Sequence, residues 1–332
     1  MHQGVATAPA APGQGRLVCK ILQITTLTIG LSTVPVLSEQ ARAATFNLVF
    51  DGSTASAPAG FFAAFNQEIQ YFETIFNDPI TINLHVGWGD INGGPLSPGN
   101  VGQSLTNQVA VPYTTLKGAL VADAKSAADT AAVASLPAID PTPGKNFAMS
   151  TAEAKALGLL PGMAAATDGW VGFNKNVAYA FDPTSRSVAG AYDFFGVADH
   201  EITEVMGRYG FGQNGSGSRD SPIDLFRFAG AGVRDWTPAF AGAANYFSID
   251  GGLTSINTFN TACCGDLSDW AGNTIDPFNA FLTLGRAELI TQGDLVEMDV
   301  LGYDRATVPE PATLALLITG LSALRVRRYG RR

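Results

Sequence analysis

Two short apolar stretches, one near each end, do most to limit what this chain can fold into. The first, Ile21 to Leu37, is uncharged and mostly apolar; Arg16 and Lys20 precede it, and Ala41-Arg42-Ala43 follows in a small-x-small pattern. A basic lead, an apolar middle and such a cleavage site read as a signal peptide over residues 1–43. The second, Ala312 to Leu324, follows Val308-Pro309-Glu310-Pro311 and precedes Arg325, Arg327, Arg328, Arg331 and Arg332. It falls short of the ~20 residues that span a bilayer comfortably. Its basic flank would hold that end in the cytoplasm. What is left to fold is residues 44–307, ample for one sizeable core.

Charge then narrows the partners. Of the chain's 20 Lys and Arg and 29 Asp and Glu, residues 44–307 keep 12 and 27, a net charge of −15. That excludes nucleic acid as a natural partner and suits an exported domain that holds divalent cations. Cys19 falls in the signal segment, so only the adjacent pair Cys263-Cys264 stays. Two neighbouring thiols make neither a disulfide scaffold nor a zinc site of their own.

Periodicity predicts strands at 45–50, 80–88, 169–173 and 177–181. Phe61, Phe65, Ile69, Phe72 and Ile75 recur at steps of three and four and predict a helix over 58–76. Further helices are expected over 113–136, from a Ser150/Glu153 capping box to about 159, and over 192–206. Residues 89–102 and 137–145 read as loops. Beyond Gly210 the chain is rich in Gly, Asn, Ser and Asp, with strand-like pieces at 225–228 and 246–249. A last helix is expected over 287–301, packed by Leu289, Leu295, Met298 and Leu301. The fold class is therefore α+β: a twisted mixed sheet with long helices in 44–209, then an irregular, loop-rich 210–307.

The chemistry concentrates in Asp199-His200-Glu201-Ile202-Thr203-Glu204. On a helix, His200 and Glu204 are four apart and share a face, so an imidazole and a carboxylate can reach one metal ion. Glu201 lies on the neighbouring strip, where it can act as general base on a water. This is the logic of His-Glu-x-x-His zinc peptidases with Glu204 in the second ligand's place. Zinc there would polarise a scissile carbonyl and acidify water. Of three histidines, His2 falls in the signal segment, leaving His85 and His200; a three-histidine site is impossible.

The run His200 to Arg208, with the segments Asp224 to Arg227, Tyr246 to Gly252 and Met298 to Asp304, resembles a family of bacterial metalloproteases. The order of strands and helices before it resembles metzincin-type peptidases. The resemblance implies a zinc-dependent endopeptidase centred on His200, Glu201 and Glu204, acting on proteins or peptides. Gly207 stands where metzincins end the helix, and Gly210 where they carry a third histidine. For the missing ligand Asp220 and Asp224 are favoured, since both follow a glycine-rich loop able to swing back over the helix; the alternative for Asp224 is a turn cap after Pro222. His85 is a further candidate, or a hydrogen-bonded strand histidine. Met298 is either a methionine under the metal or a core residue. Calcium is a second candidate ion, for Asp250, Asp266, Asp269, Asn273 and Asp276; turn chemistry explains the same residues. The tail resembles the PEP-CTERM sorting signal, which implies processing by an exosortase-type enzyme, membrane contact through the tail beforehand, and a place at the cell envelope or outside it. The contrasting reading is an inactive surface or biofilm-matrix protein on a peptidase-like fold.

Overall fold

The computed structural model describes residues 43–210, 219–237, 239–263, 265–272 and 275–306. The signal segment up to residue 42, the tail, Cys264 and Asn273 lie outside the described residues. Among the described residues no helix is long and apolar enough to cross a membrane.

The chain is mixed α+β, and its first half is built on a four-stranded sheet. Strand β1 (Thr45–Phe50) leads into helix α1 (Ala59–Ile75), and β2 (Thr81–Trp88) returns parallel to β1. Two strands follow that the sequence pattern does not announce, β3 (Gly102–Thr106) and β4 (Gln108–Val111). The helix expected over 113–136 is two: α2 (Tyr113–Asp123) and α3 (Ala127–Ser135). Ser126 caps the second, accepting from the Asp129 amide while Asp129 accepts from the Ser126 amide. That capping box gives the chain a reason to restart the helix there.

Next come β5 (Asn146–Ser150), α4 (Thr151–Ala156) and β6 (Gly169–Phe173). At Ser150 the hydroxyl accepts from the Glu153 amide, and Glu153 itself is fully buried. The short β7 (Tyr179–Ala180) and β8 (Tyr192–Asp193) pair with each other, and β8 runs into α5 (Phe194–Val205). The main sheet has the order β1-β2-β6-β3, with β2 and β6 parallel and β3 antiparallel at the end.

The second half holds β9 (Arg219–Asp220), β10 (Arg227–Gly230), β11 (Val233–Arg234), β12 (Tyr246–Phe247), β13 (Asn257–Thr258) and α6 (Gln292–Val300). Strand β9 joins β4 and β5 in a second sheet, and β10 to β13 form a small antiparallel sheet. Leu289, expected to pack the last helix, precedes it and is half exposed, whereas Met298 and Leu301 enter the core.

Aromatic rings hold α1 and α5 to the main sheet. Phe61 meets Phe173 at 5.7 Å and Phe194 at 5.4 Å between centroids, and Phe173 meets Phe194 at 4.9 Å. All three are buried. Glycine lets α5 come close to the strands: a Cβ on Gly169 would stand 2.7 Å from Val205 Cγ1 and 2.5 Å from the Leu105 carbonyl. The helix carrying the His-Glu-x-x-Glu run is thereby laid against β3.

Candidate metal centre

Helix α5 begins where the Asp193 carboxylate accepts the Phe195 amide. It ends at Gly207, whose φ of +123° is costly for a side chain. The Gly207 amide donates to Glu204 O and the Arg208 amide to Thr203 O, the paired bonds of a glycine-ended helix stop. The stop has a second effect, because it turns Arg208 back under the helix. Its Nε donates to Thr203 Oγ1 at 3.0 Å and its Nη2 to His200 O at 3.1 Å, with the guanidinium 4.4 Å from the Phe278 ring centre.

His200 and Glu204 do share the face that their spacing predicts: His200 Nε2 lies 3.4 Å from Glu204 Oε1. The third member is Asp269, whose Oδ2 lies 3.8 Å from His200 Nε2. These three ligand atoms all fall within 4.8 Å of one another, the one such group among the described residues. Each side chain is held by its other end. His200 Nδ1 faces the Pro277 carbonyl at 2.8 Å, which leaves Nε2 toward the centre. Glu204 Oε2 accepts the Ser104 hydroxyl at 2.7 Å, and Asp269 Oδ1 accepts Arg208 Nη1 at 2.5 Å. Anchored outer atoms with convergent inner ones are the arrangement that orients metal ligands.

The separations fit a small divalent ion. Bonds of ~2.0–2.1 Å at tetrahedral angles put neighbouring nitrogen and oxygen ligands ~3.3 Å apart, near the distances around His200 Nε2. Without an ion the same atoms hold a proton: burial opposes charge on His200, but Asp269 and then Glu204 outweigh it and push its pKa up to about 10. Burial likewise opposes charge on Glu204, yet His200, Arg208 and the Ser104 hydroxyl hold its pKa down at about 2. Burial pushes the Asp269 carboxyl up in spite of His200 and Arg208, and a centre that holds a proton among one imidazole and two carboxyls can exchange it for a metal ion.

Glu201 lines the same cleft, a cavity of about 460 Å³ between β3 and the loop at 279–282. Burial, then the neighbouring Glu204 charge, push its carboxyl well above the ordinary range. Its room comes from Gly102 on β3: any Cβ there would collide with Glu201 Oε1.

Neither aspartate favoured for the third position joins this group. Asp220 is buried on β9, where its Oδ1 accepts Lys145 Nζ at 3.0 Å. Asp224 Oδ2 accepts the Ser221 amide and hydroxyl, the turn-cap alternative, and its Oδ1 faces Arg227 Nε at 3.5 Å. His85 pairs with Asp51 at 3.2 Å and its ring packs near Trp170. Of the residues considered for calcium, Asp269 belongs to the centre above. Asp250 accepts Ser248 Oγ and the Thr254 amide, and Asp276 accepts the Phe278 amide. Asp269 carries no local signal: it sits 65 residues after Glu204.

No family model, curated protein or solved structure matches this chain.

Proposed function

We propose that this chain is a zinc-dependent endopeptidase exported to the cell envelope or beyond, a metzincin-like enzyme with Asp269 in place of a third histidine. The observation that carries the reading is the meeting of three convergent ligand atoms with a buried glutamate in one open cleft. His200, Glu204 and Asp269 would hold the zinc, which when bound supplies a Lewis acid that polarises the scissile carbonyl and acidifies water.

The remaining work falls to the chain. Glu201 takes a proton from the attacking water as its oxygen bonds to the carbonyl carbon, and returns that proton to the amide nitrogen as the C–N bond breaks. Burial pushes this carboxyl upward, the direction that helps a carboxylate take up a proton in the first transfer. Strand β3 ends its sheet, so an extended peptide can pair along its outer edge and lie over Glu201. Zinc suits a site with one imidazole and two carboxylates. The apolar tail and the signal segment support export and PEP-CTERM-type sorting.

The test combines two variants. Zinc per chain should be about one in the parent and in Glu201→Gln, and near zero in His200→Ala. Hydrolysis of an unfolded protein substrate should fall at least ~100-fold in Glu201→Gln, the usual worth of a general base. Full activity in Glu201→Gln removes the mechanism. Little zinc in the folded parent, offered excess metal, leaves the inactive surface-protein reading instead.

A further inference from the structure

One side chain outside the cleft ties the cleft's far wall to the helix that carries the ligands. Segment 276–283 supplies that wall, since Asn279, Ala280, Phe281 and Leu282 line the cleft. The same segment grips two of the three ligand positions. The Pro277 carbonyl faces His200 Nδ1 at 2.8 Å, and a carbonyl only accepts, so Nδ1 carries the ring proton. The Trp270 amide donates to Phe278 O at 2.8 Å and the Ala280 amide to Trp270 O at 3.1 Å, which fixes the main chain next to Asp269.

Glu288 closes this segment. Its Oε2 accepts the Asp276 amide at 2.8 Å and its Oε1 the Thr283 amide at 3.4 Å, so one carboxyl holds both ends. Glu288 is in turn fastened to the first turn of α5. Its amide donates at 2.8 Å to Asp193 Oδ2, part of the carboxylate that caps the helix. Its carbonyl accepts Arg186 Nη2 at 2.5 Å, and Nε and Nη2 of that guanidinium also donate to Asp193. Gly196, four residues before His200, gives the room: a Cβ there would stand 2.6 Å from Glu288 Cβ. Glu288 is only 2% exposed, and burying a carboxyl costs free energy unless hydrogen bonds compensate it. Here the compensating donors are the two ends of the wall. Outer partners set the orientation of a ligating imidazole, and a wall that drifts misplaces whatever binds against it.

We propose that Glu288 is a positioning residue: it clasps segment 276–283 to α5, and so holds His200 in line for the metal and sets the width of the cleft for substrate. That role, though not the clasp itself, rests on the zinc-peptidase reading.

Two variants of the full chain test it. Glu288→Gln keeps the side chain's size but offers one accepting oxygen to two amides. Gly196→Ala keeps the carboxyl and pushes it off the helix, although alanine by itself favours a helix. In both, the zinc dissociation constant, measured against a chromophoric chelator, should rise about tenfold, the lower end for partners of a metal ligand. With zinc in excess, kcat/KM on an unfolded protein substrate should fall at least about tenfold, mostly through KM, because Glu201 stays in place. The cobalt(II)-substituted protein should show an altered visible spectrum. Denaturant unfolding reads stability separately. A merely structural Glu288 would lower stability and leave zinc affinity, KM and the cobalt spectrum as in the parent, and that result overturns the proposal. Gly196→Ala decides the matter if Glu288→Gln does not fold. Should the parent take up no zinc, the zinc reading falls, and hydrogen exchange in the metal-free protein judges the clasp. Faster exchange at the Asp276 and Thr283 amides and at the His200 Nδ1 proton in the variants upholds it; parent-like exchange overturns it.

Discussion

Removing one hydroxyl tests whether the centre is built for a metal. Ser104 on β3 is half-buried and donates to Glu204 Oε2 at 2.7 Å, leaving Oε1 toward His200 Nε2. In Ser104→Ala the carboxylate loses that donor and with it one restraint on its orientation. A hydrogen bond to a charged group contributes ~1.5–3 kcal/mol. Partners that orient metal ligands are worth ~10–100-fold in affinity, or about 1.4–2.7 kcal/mol. The two scales agree, and because the cleft is open, water replaces part of the lost bond. The expected loss is therefore at the lower end, about tenfold in zinc affinity. Competition with a chromophoric chelator at fixed pH measures it, and a denaturant curve on the metal-free protein serves as control. Metal-free stability should fall by no more than the ~1.5–3 kcal/mol that such a bond contributes, so the variant's affinity is read under conditions where the curve shows it folded. An affinity within twofold of the parent, from a folded variant, refutes the idea that Ser104 positions Glu204 as a ligand.

Three further outcomes follow from other residues. In Gly102→Ala the new methyl meets Glu201 Cγ and Cδ at 2.8 and 2.9 Å, so kcat should fall at least about tenfold while zinc per chain, read by elemental analysis, stays near one. Arg208→Met leaves Asp269 buried without its guanidinium; removing one partner of a buried pair costs ~3–5 kcal/mol, which denaturant unfolding of the metal-free protein would show. Asp78 is held up to about pKa 8 by burial first, then by Asp304 and Asp123. Below about pH 4 both states are protonated; between about 4 and 8 only the folded state keeps this proton, so rising pH removes up to about 1.4 kcal/mol of stability per pH unit. Asp78→Asn should flatten that part of the stability–pH curve, and a parent-like slope in the variant contradicts the assignment.

Part of this site is legible from local sequence because helices enforce spacing. Four residues on one helix fix His200 and Glu204 on a common face, and Glu201 falls beside them with no tertiary information. Asp269 is not legible in that way. It is placed by Arg208, 61 residues earlier in the chain, and by the bridges of its neighbour Trp270 to Phe259 and Asn279. Asp220 and Asp224 follow the helix more closely, but each has a nearer partner in Lys145 or in Ser221 and Arg227. Strand β3 eluded periodicity for a related reason: Gly102-Gln103-Ser104-Leu105-Thr106 is a polar end strand, buried on neither face. Its residues answer to the cleft, through Gly102 and Ser104, more than to a core. The split between α2 and α3 was readable, since Ser126 and Asp129 carry the cap in their spacing.

The two ends of the described body meet at one corner. The Ala44 amide donates to Phe76 O, Phe76 bridges to Arg305, and the Ala306 amide donates to Ile75 O. Tension applied between Ala44 and Ala306 would therefore load a few main-chain bonds beside Phe76 one after another, in a peeling geometry. Those bonds yield at low force, and the strands of the main sheet would feel the load only afterwards. The same closeness makes the molecule a candidate for circular permutation: a short linker from Ala306 to Ala44 and new ends in an exposed turn would leave each strand its present neighbours.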